Sequence, residues 1–407
     1  MNKNSFRLEN GLTVMNVNRS KGFSGCLSIN IGHVSEPSLG IAGLFEKTLL
    51  LQVSGVIPNF GGTMTAYTAS SEGDLDKVMK SLSNIFNATK VTQAYVTRAQ
   101  NWISEETRKN ALKPVRQMKL LYKHTAFGAD LVRPTEEFLH KLNSYTTEDV
   151  RSFANAYYTA KNTVLVIAGP KSAMPQIKEL AEKYFGNIPA GEKLPVKKGS
   201  FYTGGYGRID VVDDDTSIMF GWDASGLTID DSPAANVMMS MFLNRLEGAY
   251  LKEMPQAKVK VDFKIAGYYG IRTMRATVSS PTAGAKELAD VFVSVVNRIC
   301  DVPASDVAME SAKNWAMAEK LDKYEKSDNF ALETAWQLIG RGSMYDTTNR
   351  ITSIHEKTAE DVRDVATRMF RGSRVTYIVA ADAEIADYSY REIMEKINCT
   401  HLLKDDE

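Results

Sequence analysis

Glu46 and Lys47 stand side by side in an apolar stretch, residues 40–51 (GIAGLFEKTLLL), and come nearer to a reaction centre than any other residues of the chain. A carboxylate on an apolar helix can act as a general base. Its most demanding use is beside zinc, where two histidines four residues apart on one helix face hold the metal and an acid between them activates water. This stretch has the acid without the histidines. The chain's five histidines, His33, His124, His140, His355 and His401, include no pair at three- or four-residue spacing. Cys26, Cys300 and Cys399 are too widely spaced for a metal knuckle and odd in number, which reads as reduced thiols of an intracellular protein. No G-x-S-x-G elbow supports a serine nucleophile. The pairs Gly61-Gly62 and Gly204-Gly205 lack the Lys-Thr or helix start of a phosphate loop.

The elements that must position Glu46 belong to an ordinary globular chain. At 407 residues, with 43% hydrophobic and 24% charged, it is too long for one core. Lys+Arg and Asp+Glu are equal at 49 each, so no net field attracts nucleic acid or an anionic membrane. No apolar run reaches the roughly 18 residues of a membrane helix, and the first residues pass directly into a strand pattern. The expected location is the cytoplasm, or an organellar matrix for a mature chain whose targeting segment has been removed.

Two versions of one unit are visible. Residues 146–169, TTEDVRSFANAYYTAKNTVLVIAG, and 358–381, TAEDVRDVATRMFRGSRVTYIVAA, align without a gap at an offset of 212. Thr146, Glu148, Asp149, Val150, Arg151 and Ala154 recur as Thr358, Glu360, Asp361, Val362, Arg363 and Ala366. Each threonine can cap a helix whose early acids suit the positive end of its dipole, and each helix leads into a short buried strand. An amphipathic helix follows each strand.

Between the copies, NIPAGEKLPVKKGSFYTGGYG is rich in Gly, Pro and Lys and lacks periodicity, as a linker does. The expected domains are residues 1–188 and 208–407 with a linker at 189–207. The first half carries strand patterns at 12–17, 25–31 and 64–70 and a helix at 74–86. The second has strands at 217–222, 261–266 and 270–278 and helices near 233–253, 283–299 and 304–340. An α+β fold of two homologous sandwich halves follows.

Leu8-Glu9-Asn10-Gly11-Leu12-Thr13-Val14, Gly32-His33-Val34-Ser35-Glu36-Pro37 and Gly40-Ile41-Ala42 match, in order, "L-x-N-G-L-x-V", "G-x-x-x-E-P" and the G-x-A opening of a motif helix. On these motifs the chain resembles the inverted-zincin metallopeptidases. That family includes pitrilysin, insulin-degrading enzyme and the mitochondrial processing peptidase, together with the core subunits of the respiratory cytochrome bc complex. The resemblance covers nearly the whole chain. Laid on the family's H-x-x-E-H, the positions are Gly43-Leu44-Phe45-Glu46-Lys47: both ligand histidines are replaced and the acid remains. The family's third ligand, a Glu in a "V-[IL]-x-E" context, falls on Glu105 of Trp102-Ile103-Ser104-Glu105, with Glu106 one residue away.

The resemblance therefore implies a catalytically degenerate member with no zinc and no cofactor. Gly43 offers no ligand atom, and a lysine at position 47, with an ordinary pKa of about 10.4, brings a cation where zinc needs a lone pair. The Lys47 ammonium is expected to stand in for the metal charge by neutralising Glu46 or Glu105. The family's "G-G-x-x-N-A-x-T" edge strand, which pairs with extended substrate, matches Gly61-Gly62-Thr63-Met64-Thr65-Ala66-Tyr67-Thr68, an expected peptide-binding strand. The family's substrate-holding Arg becomes Lys252, and no Tyr falls in register after it. The implied role is a non-catalytic peptide-binding or scaffolding subunit paired with an active H-x-x-E-H paralogue. The alternatives are a structural core-type subunit of a larger complex, or a metal-independent enzyme using Glu46 and Glu105 as acid and base.

Overall fold

The computed structural model describes residues 4–19, 22–87, 91–128, 134–195, 202–212, 214–228, 230–268, 271–325, 327–342 and 352–404. Two sheets organise them. The first is built from β1 (Ser5–Arg7), β2 (Thr13–Asn18), β3 (Phe23–Ile29), β4 (Ile57–Phe60), β5 (Thr65–Ser71) and β6 (Thr163–Gly169), in the order β1-β2-β6-β3-β5-β4. The second is built from β7 (Gly205–Asp210), β8 (Thr216–Asp223), β9 (Lys260–Tyr268), β10 (Ile271–Ser280) and β11 (Val375–Ala381), in the order β7-β11-β8-β10-β9. Apart from β1, the orders superpose strand for strand. In each sheet one parallel pair, β2 with β6 or β7 with β11, is followed by antiparallel neighbours out to the far edge.

The repeat that set this expectation holds at its offset of 212. Strands β6 and β11 start at Thr163 and Val375, and the helices before them, Thr147–Tyr157 and Ala359–Phe370, follow Thr146 and Thr358. Both threonines form a complete capping box: the side chain accepts from the backbone N–H of Asp149 or Asp361, and that acid accepts from the threonine's own N–H. Two otherwise orphaned donors are satisfied at each helix start. Thr146→Ala and Thr358→Ala should each lower stability by about 1 kcal/mol, as cap removals do. Urea unfolding of the single variants tests this, and a cost confined to one of them would break the equivalence of the copies.

Each sheet lies in its own compact unit, and each unit takes in a segment from the other half of the sequence. The first unit comprises residues 1–108, 134–198 and 321–345; the second comprises 109–133, 199–320 and 346–407. In the first, one sheet face carries the core of Leu27, Phe45, Tyr67, Leu82 and Ile167 under the helices Ile41–Leu50 and Leu75–Asn87. Helix Ser327–Arg341 covers the other face, setting Ala331, Ala335, Leu338 and Ile339 against Cys26, Ala66 and Val166. In the second unit, helix Pro114–Phe127 packs on β7 and β11, and its Tyr122 sits where a side chain at Gly221 would collide. Residues 189–195 and 202–204 of the expected linker carry no regular element, and residues 196–201 lie outside those described. Of the helical pattern expected over 304–340, Asp306–Glu325 and Ser327–Arg341 are helical, and residue 326 lies outside those described.

Candidate functional site

Helix Ile41–Leu50 buries Ile41, Ala42, Leu44, Phe45, Thr48 and Leu49. Its N-terminus is capped from outside by Glu36, whose Oε1 accepts from Gly40 N at 2.6 Å and Oε2 from Ala42 N at 2.9 Å. Gly40 reverses the chain at φ 83°. Tyr145 Oη donates to Leu39 O at 2.8 Å and fixes the approach. The G-x-x-x-E-P motif thus has a structural job: its Glu caps the motif helix, and its Gly lets the chain pass against the Gly61-Gly62 backbone. There Val34 N donates to Gly62 O at 2.8 Å, and His33 Nδ1 lies 3.0 Å from Gly61 O. Burial pushes the Glu36 carboxyl up to about 7 against the pull of its two N–H donors.

Glu46 is half-buried on this helix. Loss of water pushes its carboxyl up to about 7, and the Lys47 charge pulls it the other way. Its field falls on two buried phenols, Tyr67 and Tyr158, whose oxygens are 3.0 Å apart and whose pKa values burial raises well above the ordinary tyrosine range. Tyr158 also meets Phe45 edge-on, with ring centroids 4.6 Å apart. The acid of the motif therefore lies within electrostatic reach of a buried hydroxyl pair.

Lys47 does not pair with either acid. Its Nζ lies 3.1 Å from the centroid of the Trp102 ring, a cation–π contact, and among the described residues it makes no ion pair. This corrects the expected neutralisation. Trp102, read from the sequence only as the first letter of a ligand register, supplies the partner. Glu105 and Glu106, which follow Trp102 on helix Gln93–Ala111, are exposed. Double-mutant coupling between Lys47→Met and Trp102→Leu is expected at roughly 0.5–1 kcal/mol, the range for a partly exposed cation–π pair. Zero coupling would dismiss the contact. Lys47→Met should also raise the Glu46 pKa further by removing the one charge that lowers it.

The donor set does not fit zinc. Gly43 brings no ligand atom, Lys47 brings a cation held over an indole, and Glu105 points into solvent. No group of three or more His, Cys, Asp or Glu able to hold a metal occurs among the described residues.

The strand expected to bind peptide is not an edge. Residues Gly61, Gly62, Thr63 and Met64 form a turn, and Thr65, Ala66 and Tyr67 open β5, which lies between β3 and β4 with both sides paired. The free edge is β4, a strand that sequence reasoning missed. Its register, Ile57 opposite Thr68 and Phe60 opposite Thr65, continues into Gly61 N donating to Met64 O at 2.9 Å. That alternation turns the backbone of Ile57 and Asn59 toward β5 and the backbone of Pro58 and Phe60 outward. Pro58 has no N–H, so the edge presents one donor only, and an added strand finds little to hold. Lys252 belongs to the second unit, exposed in the last turn of helix Ser232–Glu253.

Residues 144–316, beginning at the first capping box, match the family model for the peptidase M16 inactive domain. Over 97% of its length the chain superposes on 99% of a chain of complex III2 from Candida albicans with Inz-5 bound, at TM-score 0.79 and 16% identity. It superposes equally well, at TM-score 0.79 and 14% identity, on a protease from Helicobacter pylori, covering 92% of this chain and 98% of that one. Over residues 144–316 the chain is similar to the inactive domain of the M16 peptidases. Among curated proteins none matches it. At such identities the two solved structures carry the fold alone, two α+β halves of matching topology. The motifs at Leu8–Val14 and Gly32–Pro37 lie outside the residues that the family model matches. No described helix of this chain is long and apolar enough to cross a membrane.

Proposed function

We propose that this chain is a non-catalytic subunit that pairs with an active H-x-x-E-H paralogue and completes its chamber. The observation that carries this reading is Lys47 over Trp102 at the position where the inverted motif needs its second histidine. A cation anchored there opposes a metal, while the helix, its Glu36 cap and the sheet beneath it are kept intact. Loss of the site with retention of the scaffold suits a subunit whose surface matters more than its chemistry. A metal-independent acid–base role for Glu46 and Glu105 is less favoured, because Glu46 is half-buried and Glu105 exposed.

A second reading, a structural core-type subunit of a larger complex, is favoured by the likeness over nearly the full chain to a component of complex III2 from Candida albicans. The proline-blunted edge at β4 suits that reading too, because a purely structural subunit has no extended substrate to hold. A cytoplasmic or an organellar-matrix location is compatible with both.

The test is native mass spectrometry of the complex isolated from its source, with metal content and peptidase activity read on the same sample. A heterodimer holding one zinc and an H-x-x-E-H chain supports the first reading. A large assembly without zinc or peptidase activity supports the second. Zinc bound to this chain alone overturns both.

A further inference from the structure

The M16 site leaves unused a cavity of about 650 Å³ in the first unit, where β1 and the starts of β2 and β6 meet the end of helix Ser327–Arg341. That volume is within the range of small-molecule sites, and the lining has their usual division between apolar floor and a few placed polar groups. Phe6, Met15, Leu338 and Ile339 provide apolar surface. Arg7, Lys161 and Lys193 stand at the rim with one carboxylate, Glu9, and all four are exposed. Among the described residues none of the four is in an ion pair, so the rim carries an excess of two positive charges in a chain whose net charge is zero.

Two of these cations are held in place by the fold. Gly11, at φ 93°, lies under the Lys161 stem, and a Cβ there would come within 2.7 Å of Lys161 Cγ. The bare Cα lets the lysine lie across the turn, with its methylenes on protein and its ammonium at the mouth. Lys193 is fixed through its neighbour. Leu194 O accepts from Asn30 Nδ2 at 2.8 Å, and Leu194 N donates to Asn162 Oδ1 at 3.4 Å. Asn162 is itself held by donating to Tyr157 O at 2.9 Å. Two buried asparagines thus tie down the segment that brings Lys193 to the cavity.

We propose that this cavity binds a small organic anion, a carboxylate carrying an apolar chain. The chain would occupy the floor beside Leu338 and Ile339, and the carboxylate would meet the ammonium groups of Lys161 and Lys193. An apolar floor alone would take neutral and charged amphiphiles alike, so the rim sets the selectivity.

Octanoate and octylamine, which share a chain and differ in charge, are the probes, titrated calorimetrically into the full chain. Octanoate should bind, and octylamine should bind at least about tenfold more weakly. In Lys161→Glu/Lys193→Glu, which changes two exposed side chains and leaves the core alone, octanoate affinity should fall by about tenfold or more while the thermal midpoint is kept. Equal binding of the two probes, no binding of octanoate, or unchanged affinity in the double variant would each overturn the proposal.

Discussion

Glu46→Gln is expected to stabilise the protein at about pH 8 by on the order of 3 kcal/mol and to change nothing at about pH 4. The cause is the raised pKa of the half-buried carboxyl, about 7 when folded against 4.5 for the ordinary group. Below pH 4.5 the folded and unfolded chains both hold the proton. Between 4.5 and 7 the folded chain keeps a proton that the unfolded chain has released, so each pH unit removes about 1.4 kcal/mol of stability. Above 7 both states are ionised and the loss is complete. The contribution is thus fully present under acid conditions and gone at neutral pH, the reverse of an ion-paired acid. A glutamine keeps the shape of the protonated form without the ionisation. Urea unfolding of both proteins across this pH range decides the matter, and a gap that does not widen with pH would mean that the folded carboxyl is hydrated. Glu36→Gln is expected to behave differently although its carboxyl also lies at about 7. Its two oxygens accept from two different N–H groups, Gly40 and Ala42, and an amide offers one acceptor oxygen. That variant should gain nothing at alkaline pH.

The repeat was legible because its signals are local. A capping threonine, an acid three residues on and a seven-residue apolar strand follow one another without a gap, and both copies fold as they read. Strand β4 was not legible: Ile-Pro-Asn-Phe has no alternation, and only the turn at Gly61–Met64 brings it to β5. The same turn moved the free edge from the Gly61–Thr68 segment to Pro58, so a peptide strand inferred from motif letters became an interior one. The exchange of helices was hidden for a different reason. Amphipathic spacing shows that Pro114–Phe127 and Ser327–Arg341 each have an apolar face, but not which sheet receives it. The room that receives Tyr122 is written at Gly221, about a hundred residues away. At the site, the sequence showed correctly that position 47 holds a cation. Its partner Trp102 could not be read, because a contact between side chains 55 positions apart leaves no spacing signal.

Gly32→Ala should destabilise the protein by about 3 kcal/mol, the upper range for overpacking, whereas Gly43→Ala should stabilise it by up to about 1 kcal/mol. The substitutions add the same methyl group eleven residues apart. At Gly32 the new Cβ would lie 2.5 Å from Gly62 O and 2.7 Å from Gly62 C, with Gly61 O closer still. All three are backbone atoms of the turn between β4 and β5, so no rotamer change relieves the contact. Moving the turn away would break the bonds that Gly61 O and Gly62 O accept from His33 N and Val34 N, and would shift the four residues that carry the chain on to the Glu36 cap. At Gly43 the nearest atoms are on the Phe60 ring, at 3.6 Å, an ordinary van der Waals contact. The added methyl group there meets no obstacle and lowers the entropy lost by a glycine inside a helix. Thermal and urea unfolding of the two variants measure both signs. If Gly32→Ala proved neutral, the packing of the G-x-x-x-E-P segment on the turn would be wrong. If Gly43→Ala proved strongly destabilising, position 43 would be filled by something other than the open side of Phe60, and the reading of the motif helix as an empty scaffold would have to be replaced.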